Sequence, residues 1–335
     1  MNARLTALLL LAGASVAGAA DTKPVLVIHG GAGVVRSEMT ADLERDARAA
    51  LKRAIEAGRV ELDAGKPALD AVTAAITVLE DDPNFNAARG AVFTHDGRNE
   101  LDASIMDGHT RRAGAIAGVH TVRNPITLAR AVMEKSPHVM MVGDGAEAFA
   151  KTVGIVLVEP AYFRTERRWQ QLQKALREEK AGAALTDFET ARHFGTVGAV
   201  ALDRTGRLAA GTSTGGMTNK RYGRVGDSPV IGAGTWADAD CAVSATGWGE
   251  FYIRTAAAHS ICARRGLLRE PIGKAAKTVI NDEIPALGGD GGAIALDRDG
   301  HIAMPFNTDG MFRAWLDRAG EVHVAIYADE PAVGR

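Results

Sequence analysis

The chain has 335 residues, 46% of them hydrophobic and 24% charged, with 39 basic against 41 acidic side chains and a formal charge of −2. This balance allows a large buried core and excludes both a disordered chain and a bundle of membrane helices. With no basic patch, a nucleic-acid partner is excluded as well.

Residues 1–20, MNARLTALLLLAGASVAGAA, carry one arginine, an apolar run from Leu5 to Leu11 and small residues ending in Ala17-Gly18-Ala19-Ala20. The run is too short to cross a bilayer, and A-x-A precedes a cleavage point. A signal peptide is therefore expected, with an exported, periplasmic or secreted product and no membrane attachment after its removal.

KPVLVIHGGAGVV then reads as a strand running into glycines. Thr40 caps a helix whose Leu43, Ala47, Leu51, Ala54 and Ile55 recur at helical spacing. Pro67 opens a second helix, apolar on most sides and so buried. GAVFTHDG and NELDASIMDG predict an antiparallel hairpin turning at His95-Asp96-Gly97.

Gly143, Gly145 and Ala148 fit the outline of a dinucleotide fingerprint, but the spacer to the next strand allows about two helical turns, too short for a full crossover. The competing reading is a helix N-terminus whose glycines allow close packing. WQQLQKALREEK, 169–180, predicts a polar amphipathic helix, and the small, polar stretch 181–195 after it is the best linker in the chain.

GAVALDRTGRLAAGTSTGG at 198–216 and GAIALDRDGHIAMPFNTDG at 292–310 are self-similar, each a strand, an Asp-Arg-x-Gly turn and a strand, with Thr214 aligned to Thr308. Two helical stretches lie between them. Hairpins alternating with helix pairs predict an α+β fold of four layers, α, β, β, α, with two stacked and mainly antiparallel sheets. Cys241 and Cys262 sit in no metal spacing; export permits a disulfide, and two buried thiols fit equally.

No histidine pair brackets a glutamate at i, i+4, and G-x-S-x-G is absent. Reactive groups concentrate instead in 195–249: Thr196, Thr212-Ser213-Thr214, Arg224, Asp227, Thr246, Gly247 and Gly249. Arg224 and Asp227, three apart in a glycine-flanked loop, suit a ligand carrying a carboxylate and an ammonium, an amino-acid headgroup. The alternative is a surface ion pair between the two, contributing about 0.5 kcal/mol.

IHGGAG, NELDASIMDG, GTVGAVALD, TSTGGMTNKRYGRVGDSP, SATGWGE and MPFNTDGMFRAW resemble the plant-type asparaginase and isoaspartyl peptidase family of N-terminal nucleophile hydrolases, threonine type, over almost the whole mature chain. The resemblance implies a precursor that cuts itself between Gly195 and Thr196, giving an α chain of 21–195 with a mobile tail at 181–195 and a β chain of 196–335, assembled as a homodimer of αβ protomers. It implies Thr196 as nucleophile and, through its freed amine, as base, with Thr214 polarising it and Thr246 and Gly247 forming an oxyanion hole. Arg224 would hold the substrate carboxylate and Asp227 its ammonium, assisted by the Gly249 carbonyl. Asn86 matches an asparagine near the nucleophile, and His29-Gly30-Gly31 lies beside the site in relatives.

No cofactor is required by this chemistry. Bacterial relatives wrap a sodium ion in the segment matching 79–89, which implies a structural sodium site on the main chain of Leu79, Glu80, Asp82, Phe85, Ala87 and Arg89. Ala88 departs from the family's glycine, so a backbone with φ above zero there is lost or strained. The implied substrates are L-asparagine and β-aspartyl dipeptides. Glycosylasparaginase is the nearest rival, although FGTVGAVALD does not resemble it, and a non-catalytic periplasmic amino-acid-binding protein is the more distant one.

Overall fold

The computed structural model describes residues 22–181 and 195–330. The expected signal peptide and positions 182–194 of the expected linker lie outside the described residues. No helix among the described residues is long and apolar enough to cross a membrane.

Twelve strands form among the described residues. They are β1 (Val25–Ala32), β2 (Leu101–Asp107), β3 (Ala113–Val119), β4 (Met140–Val142), β5 (Val197–Leu202), β6 (Leu208–Thr214), β7 (Thr235–Ala237), β8 (Cys241–Gly247), β9 (Gly291–Asp297), β10 (Ile302–Ala303), β11 (Gly310–Leu316) and β12 (Val322–Tyr327). An eight-stranded sheet runs β12-β11-β1-β5-β6-β2-β3-β4, and a four-stranded one runs β10-β9-β8-β7. Among the strands of the described residues, only β3 and β4 pair in parallel, apart from one isolated parallel bridge between Ile231 and Thr235. β1 and β5 are buried along their whole length, as strands covered on both faces must be.

The longer helices among the described residues are α1 (Ala41–Asp63), α2 (Ala68–Glu80), α3 (Pro125–Lys135), α4 (Gly143–Thr152), α5 (Glu166–Lys180), α6 (Gly249–Thr255), α7 (Ala257–Leu267) and α8 (Ile272–Lys277), the last continued by a π-helical turn, Thr278–Glu283, and a short α9 (Ile284–Ala286). Thr40 caps α1 as expected, its hydroxyl accepting from the Leu43 amide. Leu51, Ile55, Val72 and Ile76 of α1 and α2 pack on Leu26, Ile28 and Ala199 of the large sheet. Each such buried aliphatic contributes roughly 1.5–3 kcal/mol. On the opposite side, Ile261 and Ala276 of α7 and α8 cover Val243 and Ala245 of the small sheet. Val27, Val200 and Leu202 meet Ala242, Ile294 and Leu296 between the two sheets. The four-layer α, β, β, α sandwich is the architecture found.

The two self-similar segments fold alike in different sheets. Asp203 Oδ1 accepts from the Thr205 and Arg207 amides in one turn, and Asp297 Oδ1 from the Asp299 and His301 amides in the other. Cys241 of β8 and Cys262 of α7 are joined as a disulfide. That settles the choice left open by their spacing.

Two expectations are corrected. NELDASIMDG supplies β2, but GAVFTHDG forms no strand, and β2 pairs with β3 and β6 instead. The turn at His95-Asp96-Gly97 does form, with Thr94 N donating to Arg98 O and Gly97 N to Thr94 O. The backbone of 91–93, however, is satisfied elsewhere: Val92 N donates to Asn86 Oδ1, Asn99 Nδ2 donates to the Ala91 and Val92 carbonyls, and Asn219 N donates to Phe93 O. Close packing around Gly145 is also absent, since a Cβ there would meet nothing within 4 Å among the described residues.

Candidate active site

Thr196 immediately precedes β5, in the middle of the large sheet, and is 7% exposed. Val197 pairs with Ser213 across β5 and β6, so the next step brings Thr196 beside Thr214. The Thr196 hydroxyl donates to Thr214 Oγ1 at 3.0 Å, and the Gly216 amide donates to the same oxygen at 3.1 Å. Gly195 is hemmed in on two sides. A Cβ on Gly31, which has φ +109°, would lie 2.4 Å from Gly195 Cα, and a Cβ on Gly195 would lie 2.9 Å from Asn86 Cβ.

Gly195, Thr196, Thr214, Arg224, Asp227 and Gly247 line one small pocket. The glycine-flanked loop therefore brings the expected clamp to the expected nucleophile. Arg224 and Asp227 do not pair with each other. Arg224 donates Nε and Nη2 to the two Glu250 oxygens at 2.9 and 2.8 Å. Asp227 is buried, and burial pushes its carboxyl up to about 7 against the opposing pull of Arg224. Its Oδ2 has no hydrogen-bond partner among the described residues. Gly249 is wedged between the two, because a Cβ there would stand 2.9 Å from Arg224 Nη2, Asp227 N and Asp227 Oδ1.

Thr246 is fully buried one residue before Gly247, and its hydroxyl accepts weakly from the Ala32 amide at 3.4 Å. Asn86 touches the site through Gly195, but its side chain is committed to Gly216 O at 2.7 Å and to the Val92 amide at 2.9 Å. The segment 79–89 runs from the end of α2 through turns. Within it Leu79, Phe85 and Ala87 are buried and Asp82 pairs with Arg53, while Arg89 is exposed. Glu80 is fully buried, raised to about 8 by burial, and accepts from Ser213 Oγ and Ile126 N through Oε1. Ala88 keeps the positive φ that glycine would supply, at +40°. The substitution is thus carried as strain, of about 1–2 kcal/mol.

Three contributors were not singled out from sequence. Glu250, 26 residues after Arg224, aligns the guanidinium. Ser244 accompanies His29 beneath the site. Gly198 makes room for both, since a Cβ there would lie 2.0 Å from Ser244 Oγ and 2.4 Å from His29 Nε2. For Gly198 the signal was a second glycine within GTVG, two positions after Thr196, in a strand otherwise made of apolar side chains.

The asparaginase family model matches residues 22–326. The isoaspartyl peptidase of Escherichia coli (strain K12) is 51% identical over 300 residues, covering 88% of this chain and 92% of the relative. The isoaspartyl peptidase of Salmonella typhimurium is 50% identical over 300 residues, covering 88% and 95%. The plant-type L-asparaginase of Pyrococcus abyssi is 41% identical over 300 residues, covering 87% and 95%. On this extent of similarity, carried by a chain that folds as a four-layer sandwich, the protein belongs to the asparaginase family.

Proposed function

We propose that the protein is a self-cleaving threonine amidohydrolase that hydrolyses L-asparagine and β-aspartyl dipeptides. The observation that carries this reading is the Thr196–Thr214 hydroxyl pair directly after Gly195, facing the same pocket as Arg224 and Asp227. Relatives named isoaspartyl peptidase and plant-type L-asparaginase support the substrate class.

In cleavage, the Thr196 hydroxyl oxygen attacks the Gly195 carbonyl carbon. The C–N bond between the two residues breaks, the hydroxyl proton ends on the departing nitrogen, and an ester remains. Water hydrolyses that ester to a Gly195 carboxylate and a free Thr196 amine. A peptide nitrogen cannot act as a base, but an α-amine with a reference pKa of roughly 7.7–8.0 can.

Substrate hydrolysis repeats the pattern. The Thr196 oxygen attacks the substrate β-carbonyl while the amine accepts its proton, then delivers it to the departing ammonia or amino acid. Water cleaves the β-aspartyl ester and restores the hydroxyl. The Thr246 hydroxyl and Gly247 amide serve as oxyanion donors, where loss of one donor typically costs about 3–4 kcal/mol. Arg224 takes the α-carboxylate and Asp227 the α-ammonium, which supplies the partner that the buried Asp227 Oδ2 lacks.

The same proposal includes sodium on the main chain of 79–89. The Asp82 and Ala87 carbonyls accept from Phe85 N and Gly90 N, and a carbonyl oxygen has a second lone pair to offer a hard cation. Export is supported by the Cys241–Cys262 disulfide, which suits an oxidising compartment. Assembly as a homodimer of αβ protomers belongs to this reading on family resemblance.

The test compares ammonia release from L-asparagine with cleavage of β-aspartyl-leucine by the purified protein. Hydrolysis of at least one, lost in Thr196→Ala, is the expected result. A correctly cut protein inactive on both contradicts the assignment.

A further inference from the structure

A row of polar side chains crosses the apolar space between the two sheets. In the large sheet, register places His29 of β1 opposite Gly198 of β5, Gly198 opposite Thr212 of β6, and Thr212 opposite Ser104 of β2. In the facing small sheet, Thr235 of β7 is opposite Ser244 of β8. All five polar residues are fully buried. Gly198 leaves the gap through which Ser244 reaches both His29 and Thr212.

The contacts are continuous. His29 Nδ1 lies 3.1 Å from the Thr196 carbonyl oxygen and Nε2 lies 2.9 Å from Ser244 Oγ. Ser244 Oγ is 2.8 Å from Thr212 Oγ1, which is 2.5 Å from Thr235 Oγ1. Ser104 Oγ is 2.8 Å from Thr235 Oγ1 and donates to the Ser228 carbonyl at 2.6 Å. One end of the row therefore holds the main chain of Thr196, and the other holds the residue after Asp227.

Proton placement is fixed at the two ends of the row, where His29 Nε2 and the Ser228 carbonyl both accept. The four hydroxyl protons therefore serve four of the five contacts. Thr212, which also has the Gly234 carbonyl at 3.1 Å as an acceptor, locks Ser244 by giving its proton to Ser244 Oγ. Burial lowers the His29 ring to about 3, so it is neutral and has a single N–H. The Thr196 carbonyl can only accept, which puts that hydrogen on Nδ1 and makes Nε2 the acceptor of the Ser244 hydroxyl. Ser104 gives its proton to Ser228 O for the same reason. Removing Ser244 Oγ leaves a buried ring nitrogen unpaired and frees the imidazole to turn or change tautomer.

We propose that Ser244 and Thr212 are positioning residues: they lock the orientation of His29, and His29 pins the Thr196 carbonyl so that its hydroxyl stays directed at Thr214. Its link to turnover rests on the proposed threonine chemistry, whereas its effect on His29 does not. Ser244→Ala and Thr212→Val remove a hydroxyl from the row, and Thr212→Ser keeps one.

The full chain is labelled with [15N]histidine, His29→Gln identifying the His29 signals, and ring nitrogen shifts are recorded beside self-cleavage and steady-state kinetics. In Ser244→Ala and Thr212→Val the Nδ1–H pattern is expected to be lost or mixed, while cleavage and kcat fall about 10- to 100-fold with little change in KM. Thr212→Ser is expected to restore both. If Ser244→Ala does not fold, the two Thr212 variants decide alone. Folded variants that lack the hydroxyl yet keep the wild-type nitrogen pattern and a kcat within about twofold of wild type overturn the proposal. A wild-type protein that neither cleaves itself nor hydrolyses substrate counts against the threonine mechanism, while the nitrogen pattern still decides whether the row holds His29.

Discussion

The Oγ1 atoms of Thr196, just before β5, and Thr214, at the end of neighbouring β6, lie 3.0 Å apart, and the Gly216 amide donates to the second of them. Thr214→Val keeps the volume and removes the hydroxyl. Self-cleavage and kcat are expected to fall about 10²-fold through misplacement of the attacking oxygen. Stability should drop by about 1–3 kcal/mol, because the Thr196 hydroxyl and the Gly216 amide both lose this acceptor. Single-turnover cleavage of the precursor and a denaturant titration measure the two separately; unchanged cleavage would remove Thr214 from the mechanism.

Glu250 holds Arg224 by two charge-assisted bonds, so it aligns the guanidinium proposed to receive the substrate carboxylate. Glu250→Ala should raise KM about tenfold, or roughly 1.4 kcal/mol, and leave kcat nearly unchanged. Steady-state kinetics on both substrates check the split. A fall in kcat at constant KM would place Glu250 in the chemical step instead.

Asp227 must be ionised to receive an ammonium, and burial has raised its carboxyl to about 7 in the free protein. Below that pH the neutral form accumulates and binding weakens; above it the charged form is complete. KM is therefore expected to rise as pH falls, approaching about tenfold per unit well below 7. Asp227→Asn should bind weakly at all pH values and lose this dependence. A KM that is flat from pH 5 to 8 in the unmutated protein would show that Asp227 does not receive the ammonium.

The Cys241–Cys262 bridge ties β8, the strand of Thr246 and Gly247, to α7 and closes a loop of sequence separation 21. Opening such a loop typically costs about 3 kcal/mol. Cys262→Ser should lower unfolding stability by that order, measured by chemical denaturation, and reductant should destabilise the parent protein but not the variant. Equal stability of the two proteins contradicts this.

Much of the sandwich is written in local pattern. Thr40 with its helical repeat of apolar residues, and the two Asp-Arg-x-Gly hairpins, need only neighbouring residues to form. GAVFTHDG misled because its alternation is strand-like while its hydrogen bonds go to the nearby Asn86 and Asn99 side chains and to the remote Asn219 amide rather than to a neighbouring strand. That Arg224 and Asp227 share a pocket with Thr196 was legible because the two are close in sequence in one glycine-flanked loop. Glu250 was not, because its pairing with Arg224 depends on β8 delivering the start of α6 to that loop. The buried row from His29 to Ser104 was harder still, since strand register and the stacking of the two sheets together put those five side chains side by side.

Thr196 as the first residue of a new chain is the central claim, and intact mass of the purified protein after incubation at mildly alkaline pH tests it most directly. The account predicts two chains divided between Gly195 and Thr196, the second beginning at Thr196, with Thr196→Ala remaining whole under the same conditions. A parent protein that stays in one piece, or that is cut at another bond, would contradict it.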